Sequence, residues 1–225
     1  DWVARALSMF VPAAAGFVQQ HDAQTVDYPN GALVSSDPPY YDNIEYSDLS
    51  DFFYVWLRKT CKEIYPEIFG FLSTPKKEEL VATRYRHGGQ EEADQFFLDG
   101  MTKALNRITT QIDGNHPATI YYAFKQSEIE SEGISSAGWA TFLQAVISAG
   151  FSVVGTWPMR TEMSNRMVAS GANALANSVV LVCRRKNDTT EAITRAEFIR
   201  ALKRELPPAI HDLQAANVPP AEMQP

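Results

Sequence analysis

Gly31-Ala32-Leu33-Val34-Ser35-Ser36-Asp37-Pro38-Pro39-Tyr40 is the stretch on which the fold turns. Residues 31–36 form a short apolar run suited to a strand, and two consecutive prolines cannot continue a hydrogen-bonded ladder, so that strand has to stop at Asp37. A helical pattern follows. Leu49, Phe52, Phe53, Trp56, Leu57, Cys61 and Ile64 recur at i, i+3, i+4 and i+7, with Ser47 or Asp48 placed to cap the helix and Pro66 to end it. The width of this apolar stripe predicts that Phe52, Phe53 and Trp56 belong to the core.

The alternation continues outward in both directions. Upstream, Val3, Leu7, Phe10, Val11, Ala14 and Val18 share one helical face, and the chain opens at Asp1 without an initiator Met, which reads as a segment excised from something longer. Downstream, residues 66–90 carry Pro75, two lysines and the Gly88-Gly89 break, and read as a connection with room for no more than a short helix. Helical spacing returns over residues 91–112 through Phe96, Phe97, Met101, Ala104, Leu105 and Ile108. Residues 118–124 are β-branched, aromatic and almost continuously apolar, as a strand covered on both faces would be. Trp139, Phe142, Leu143, Val146 and Ile147 mark a helix that Gly150 can close, and residues 151–157 and 179–183 mark two more strands. Between them, residues 158–177 form a polar, Gly-punctuated connection of the length that commonly carries function. Thr194-Arg195-Ala196-Glu197 is a capping box opening a last helix, with Phe198, Leu202 and Leu206, that Pro207-Pro208 should stop. Residues 1–207 thus read as one unit and 208–225 as a Pro-containing tail or linker.

Strand, helix, strand, helix, strand, long loop, strand predicts an α/β fold in which helices cover both faces of a mostly parallel sheet of about four strands. The composition agrees. Of 225 residues 45% are hydrophobic and 21% charged, the balance of a globular chain, and 12 Gly with 13 Pro are too few for a fibrous or low-complexity one. No apolar run reaches the roughly 18 residues of a membrane span, and no basic-then-apolar leader opens the sequence, so the chain reads as cytoplasmic with no membrane partner. Cys61 and Cys183 lie far apart without metal-ligand spacing, which predicts two reduced core thiols, no disulfide and no metal site. The net charge, 20 − 27 = −7, argues against a non-specific coat on nucleic acid. Positive charge matters where it collects, in Lys76–Lys77, Arg84–Arg86–His87 and Arg160–Arg166.

In open α/β sheets ligands bind just beyond the carboxyl ends of the strands, which is where Asp37 to Tyr40 falls. Pro38 donates no N–H and the proline pair holds a stiff, extended turn, leaving the Asp37 carboxylate and the Pro38 carbonyl as uncommitted acceptors. Together they suit the two hydrogens of an exocyclic amino group. Tyr40 offers a flat face to the base that bears it, worth about 1–3 kcal/mol per stacked base. An amine whose lone pair is delocalised into an aromatic ring is a poor nucleophile. Accepting its hydrogens encourages the nitrogen to pyramidalise and stabilises the positive charge that grows as it attacks an electrophilic carbon. No covalent enzyme intermediate is needed.

Ser36-Asp37-Pro38-Pro39-Tyr40 resembles the catalytic motif of the amino-group DNA methyltransferases, which transfer a methyl group from S-adenosylmethionine to N6 of adenine or N4 of cytosine. The longer run from Asp37 to Arg58 is similar, more narrowly, to the adenine-specific methylases of prokaryotes that carry an uncharacterised N-terminal domain. That similarity continues through Pro75-Lys76-Lys77-Glu78-Glu79-Leu80, Thr156-Trp157-Pro158-Met159-Arg160-Thr161-Glu162 and Val180-Leu181-Val182-Cys183-Arg184. The resemblance implies part of a Rossmann-like class I methyltransferase sheet, its fourth to seventh strands, with the last strand antiparallel. The Gly-rich turn that holds the methionine end of the cofactor in such enzymes does not occur, since Gly70, Gly88-Gly89 and Gly171 follow no strand. The chain is therefore expected to be a catalytic half, inactive in isolation, with the N-terminal half of the same protein as its partner. The strand at 31–36 would then carry an open edge, inviting pairing with that half, a homodimer, or cover by the first helix.

By the same resemblance Asp37 and Pro38 orient the target amine, Pro39 shapes the turn and Tyr40 stacks on the base, while Asp37, Tyr40 and Phe124 touch S-adenosylmethionine. Tyr41, with Asp42 and Asn43, lines the pocket rim, capping of the following helix being an equal alternative for Asp42 and Asn43, and Lys125 leaves the neighbouring strand beside Phe124. Trp157, Arg160, Glu162 and Arg166 lie near the DNA, the arginines on phosphates as the base swings out. Arg84, Arg86 and His87 are further candidates for the nucleic-acid backbone. Adenine N6 in DNA is favoured because Asp at the head of the motif is commoner among adenine enzymes. Cytosine N4, RNA adenine and a protein glutamine are the alternatives within the same chemistry, and a non-catalytic nucleic-acid-binding or assembly domain is the alternative outside it.

Overall fold

The structure, a computed structural model, describes residues 2–10, 14–42, 44–123, 137–160, 177–187 and 192–215. In chain order they form α1 (Trp2–Met9), β1 (Ser35–Ser36), α2 (Tyr46–Cys61), α3 (Pro66–Phe69), α4 (Arg84–His87), α5 (Gln90–Gln111), β2 (Ala118–Tyr122), α6 (Ala137–Ser148), β3 (Phe151–Arg160), β4 (Asn177–Arg185) and α7 (Arg195–Ala215). The strands make one mixed sheet in the order β1-β2-β4-β3. β1 runs parallel to β2, with Ser35 opposite Thr119 and Ser36 opposite Ile120, whereas β4 is antiparallel to both β2 and β3. Three strands thus point one way and the last runs against them. Only one of the three pairings is parallel, fewer than expected, because β4 is inserted between β2 and β3.

Strand alternation decides which face is covered. Ala118, Ile120 and Tyr122 are buried on one side of β2, and Thr119 and Tyr121 are half-exposed on the other, so β2 is not the doubly covered strand its apolar sequence predicts. The buried side shares one core with α5, through Phe97, Met101, Leu105 and Ile108, and with α6, through Trp139, Phe142 and Val146. The Tyr122 and Phe142 rings stack at 3.9 Å, and the Thr109 hydroxyl on α5 donates to the Ala149 carbonyl just after α6 at 2.8 Å. Gly150, at φ +88°, takes the left-handed turn that closes α6 and leads into β3. On the reverse face of the sheet Trp157 is 67% exposed, where a second helical layer is expected.

The outer helices leave their apolar stripes open. On α2, Phe52, Phe53 and Trp56 are 67%, 64% and 61% exposed, against the prediction that they are core. Amphipathic spacing identifies a face that wants a partner, not whether that partner lies in the same chain. α7 likewise exposes Phe198, Leu202 and Leu206, and it runs through Pro207 and Pro208, the residues expected to stop it. Each proline removes one helical N–H, a loss that water can make good on so exposed a helix. α1 ends at Met9, short of Val18, and buries nothing.

The Thr194 capping box forms, with the Thr194 N–H donating to the Glu197 carboxylate at 2.7 Å and the Glu197 N–H returning to the Thr194 hydroxyl at 3.2 Å. At α2 neither Ser47 nor Asp48 caps. Ser47 sits inside the helix and gives both N–H and hydroxyl to Glu79. Both cysteines are free, Cys183 fully buried as expected and Cys61 only half-buried.

Candidate active site

β1 ends at Ser36, and the chain leaves the sheet with Asp37 exposed and Pro38, Pro39 and Tyr40 half-buried. The Tyr40 hydroxyl donates to Asp37 Oδ1 at 2.9 Å, and its ring meets Tyr122 edge-on at 5.4 Å. Burial, and next the hydrogen bond to Asp37, push the Tyr40 phenol up to about 12, so it remains a donor at neutral pH. Ser178, buried at the start of β4, hydrogen-bonds the Tyr40 side chain, and Tyr46 lies close enough to Tyr40 to influence its phenol. Among the described residues nothing donates to Asp37 Oδ2 or to the Pro38 carbonyl.

Tyr41 fastens this turn from behind. It holds φ at +30°, an uncommon conformation for a residue with a side chain, typically carrying strain of order 1–3 kcal/mol. Its ring is buried edge-on to Phe97 at 5.3 Å, its hydroxyl donates to Asp94, and its carbonyl accepts the Ala82 N–H at 2.8 Å. Tyr41 is therefore a core anchor and not a pocket-rim residue. The reversed φ turns its side chain into the α5–α6 layer and leaves Asp42 exposed beside it.

The sheet gathers several expected site residues at one end. Because β1, β2 and β3 point the same way, the turn after Ser36, the end of β2, the end of β3 and the start of β4 lie together, with Tyr122 opposite Val179, Met159 opposite Ser178 and Arg160 opposite Asn177. Trp157 lies further back along β3, on the reverse face. Phe124, Lys125, Glu162, Arg166 and Asn43 lie outside the described residues. Tyr46 was legible as part of the run following the motif, whereas Ser178 arrives from the far end of the chain and has no local signature.

Parts of two of the basic clusters are already committed. The Arg86 side chain, 8% exposed, is bonded to Glu79 at 2.7 Å and to Asp48, and Lys76 is bonded to Asp51 at 2.5 Å. Burial works against the charge of Arg86, but its bonds to Glu79 and Asp48 outweigh that and raise its pKa. The Lys76 hydrogen bond, and then those from Thr74, hold the Asp51 carboxyl down at about 2. His87 stacks on Phe96 at 3.9 Å. Lys76, Arg86 and His87 thus tie α2, α4 and α5 together, which leaves Arg86 and His87 unable to track a nucleic-acid backbone as expected.

Among the described residues no glycine turn links the end of a strand to a helix: Gly31 precedes β1, Gly70 caps α3, and Gly88 and Gly89 lie between α4 and α5. The described residues thus include no glycine cradle of the kind expected to hold the carboxylate and nucleotide of S-adenosylmethionine. No group of three or more His, Cys, Asp or Glu side chains gathers to hold a metal ion, and no helix is long and apolar enough to cross a membrane, among the described residues. No protein-family model, curated protein or solved structure matches the chain.

Proposed function

We propose that this chain is the amine-orienting half of an S-adenosylmethionine-dependent methyltransferase acting on N6 of adenine in DNA, built on part of a Rossmann-like class I sheet. The observation that carries the reading is the exposed Asp37 carboxylate at the carboxyl end of β1, one oxygen braced by Tyr40 and the other, like the Pro38 carbonyl, given no donor among the described residues. Asp37 Oδ2 and the Pro38 carbonyl accept the two hydrogens of the exocyclic amine, drawing its lone pair out of conjugation. Tyr40, kept protonated and pinned by Asp37, Ser178 and Tyr122, holds Asp37 in place and presents the remaining ring face to the base. S-adenosylmethionine supplies the methyl group, held by residues other than these.

β1 is the outer strand of the sheet, and among the described residues nothing pairs with its far side. In this reading that edge receives the strands that carry the cofactor's glycine turn, and a second copy of the chain is the competing occupant. The test is mass spectrometry of nucleosides from DNA treated with the enzyme that unites this chain with those strands. N6-methyladenine that vanishes in Asp37→Ala supports the reading, N4-methylcytosine moves it to the cytosine alternative, and methylation at the parental rate in Asp37→Ala overturns it.

A further inference from the structure

The C-terminal half of α2 carries a feature that the motif at Asp37 does not use. A groove of about 310 Å³ is lined by Val55, Arg58, Lys59, Lys62, Glu63 and Leu72, three cations against one carboxylate on a chain whose net charge is −7. The cations are uncommitted compared with Lys76 and Arg86. Among the described residues Arg58 gives only its Nε–H, to the Phe69 carbonyl at 3.2 Å, and neither Lys59 nor Lys62 has a carboxylate partner. The Lys59 ammonium lies 5.6 Å from the centre of the Trp56 ring. At helical spacing Phe52, Trp56 and Lys59 form one continuous ridge beside the groove, with Phe53 set edge-on to Phe52 at 5.2 Å.

We propose that this ridge and groove bind single-stranded nucleic acid, with Arg58, Lys59 and Lys62 on phosphates and Trp56, Phe52 and Phe53 stacking on bases. Exposed rings alternating with cations are the composition that holds unpaired bases, since every base offers a face to stack and every linkage a charge to neutralise. A duplex hides those faces. A helix lying on a membrane surface would instead carry cations along the whole polar side, whereas the N-terminal half of α2 carries Asp48 and Asp51. The inference rests on the proposed nucleic-acid substrate and adds where the strand lies: Lys59 is about 20 Å along the helix from Tyr46, at 1.5 Å per residue.

The test is fluorescence anisotropy of a labelled 20-nucleotide single strand, its duplex and anionic phospholipid vesicles with the 225-residue chain and no methyl donor, alongside Lys59→Gln/Lys62→Gln and Trp56→Ala. Circular dichroism checks that these exposed substitutions leave the fold intact. The expected result is preference for the single strand, binding weakened about tenfold or more in either variant, and a plot of log affinity against log salt flatter by about 1.4 in the double variant, two phosphate contacts at about 0.7 each. Binding unchanged in both variants overturns the proposal, as does no binding by the wild-type chain, or binding to vesicles alone. Each of these leaves the Asp37 reading standing, because that reading is decided by methyl transfer and not by this assay.

Discussion

A Cβ added at Gly138 would meet the Tyr41 ring at 2.6 Å. The ring cannot retreat, because Phe97 lies across it and Asp94 holds its hydroxyl. Gly138→Ala is therefore expected to destabilise the fold by about 1–3 kcal/mol through overpacking, even though alanine is the better helix former by about 1 kcal/mol. Urea unfolding checks this as a lowered midpoint at unchanged slope. A midpoint at or above the parental one would mean that Tyr41 is not pinned.

The two ion pairs behind α2 should differ in weight. Arg86→Ala takes the guanidinium from Glu79, whose side chain is 11% exposed and keeps its two Ser47 hydrogen bonds, and is expected to cost about 2–4 kcal/mol, below the roughly 3–5 of a buried charge left with no partner. Lys76→Ala loosens a half-exposed pair and is expected to cost under about 1 kcal/mol. Equal losses in thermal or urea unfolding would contradict the burial argument.

Asp51 sets part of the acid limb of stability. Its carboxyl titrates at about 2 in the folded chain against 3.8 ordinarily, so its contribution is present above 3.8 and disappears as pH falls from there to about 2. Asp51→Asn is expected to lower stability at neutral pH and to flatten the fall across that window. Superimposable acid limbs for variant and parent would remove Lys76 and Thr74 as the cause.

Tyr40 governs the opposite end of the scale. A phenol raised from 10.0 to about 12 in the folded state leaves stability intact below pH 10 and erodes it as pH rises toward 12. Tyr40→Phe is expected to remove one phenolate step near pH 12 from the ultraviolet absorbance titration and to reduce methyl transfer by loosening Asp37. Loss of the step near pH 10 instead of near 12 would show that the Tyr40 phenol is not raised in the folded chain.

The sequence made the core elements readable because their signals are local. The stripe from Phe97 to Ile108 sits on α5, the left-handed Gly150 closes α6, and the proline pair ends β1 where it should. What it could not give was the destination of a face. The stripe on α2 has the spacing of a buried helix and stays open, because the same pattern results whether the partner is this chain or another molecule. Tyr41 misled for a related reason: next to a polar turn it looks like a rim residue, and only a backbone φ of +30°, invisible in composition, sends it inward. Ser178 and Arg86 were hidden by distance, since their partners Tyr40, Glu79 and Asp48 are set by tertiary packing.

β1 is held to β2 by Ser35 and Ser36 and by the Val34 carbonyl, which accepts the Thr119 N–H at 3.0 Å, while Tyr41 is rooted among Phe97, Asp94 and Gly138. The turn from Asp37 to Tyr40 is consequently moored to the helical layer more firmly than to the short strand that leads into it. Warming or a mutation that slackens the contact between α5 and α6 should misalign Asp37 before the sheet frays, so on the proposed reading methyl transfer would fade at temperatures where strand content is still intact.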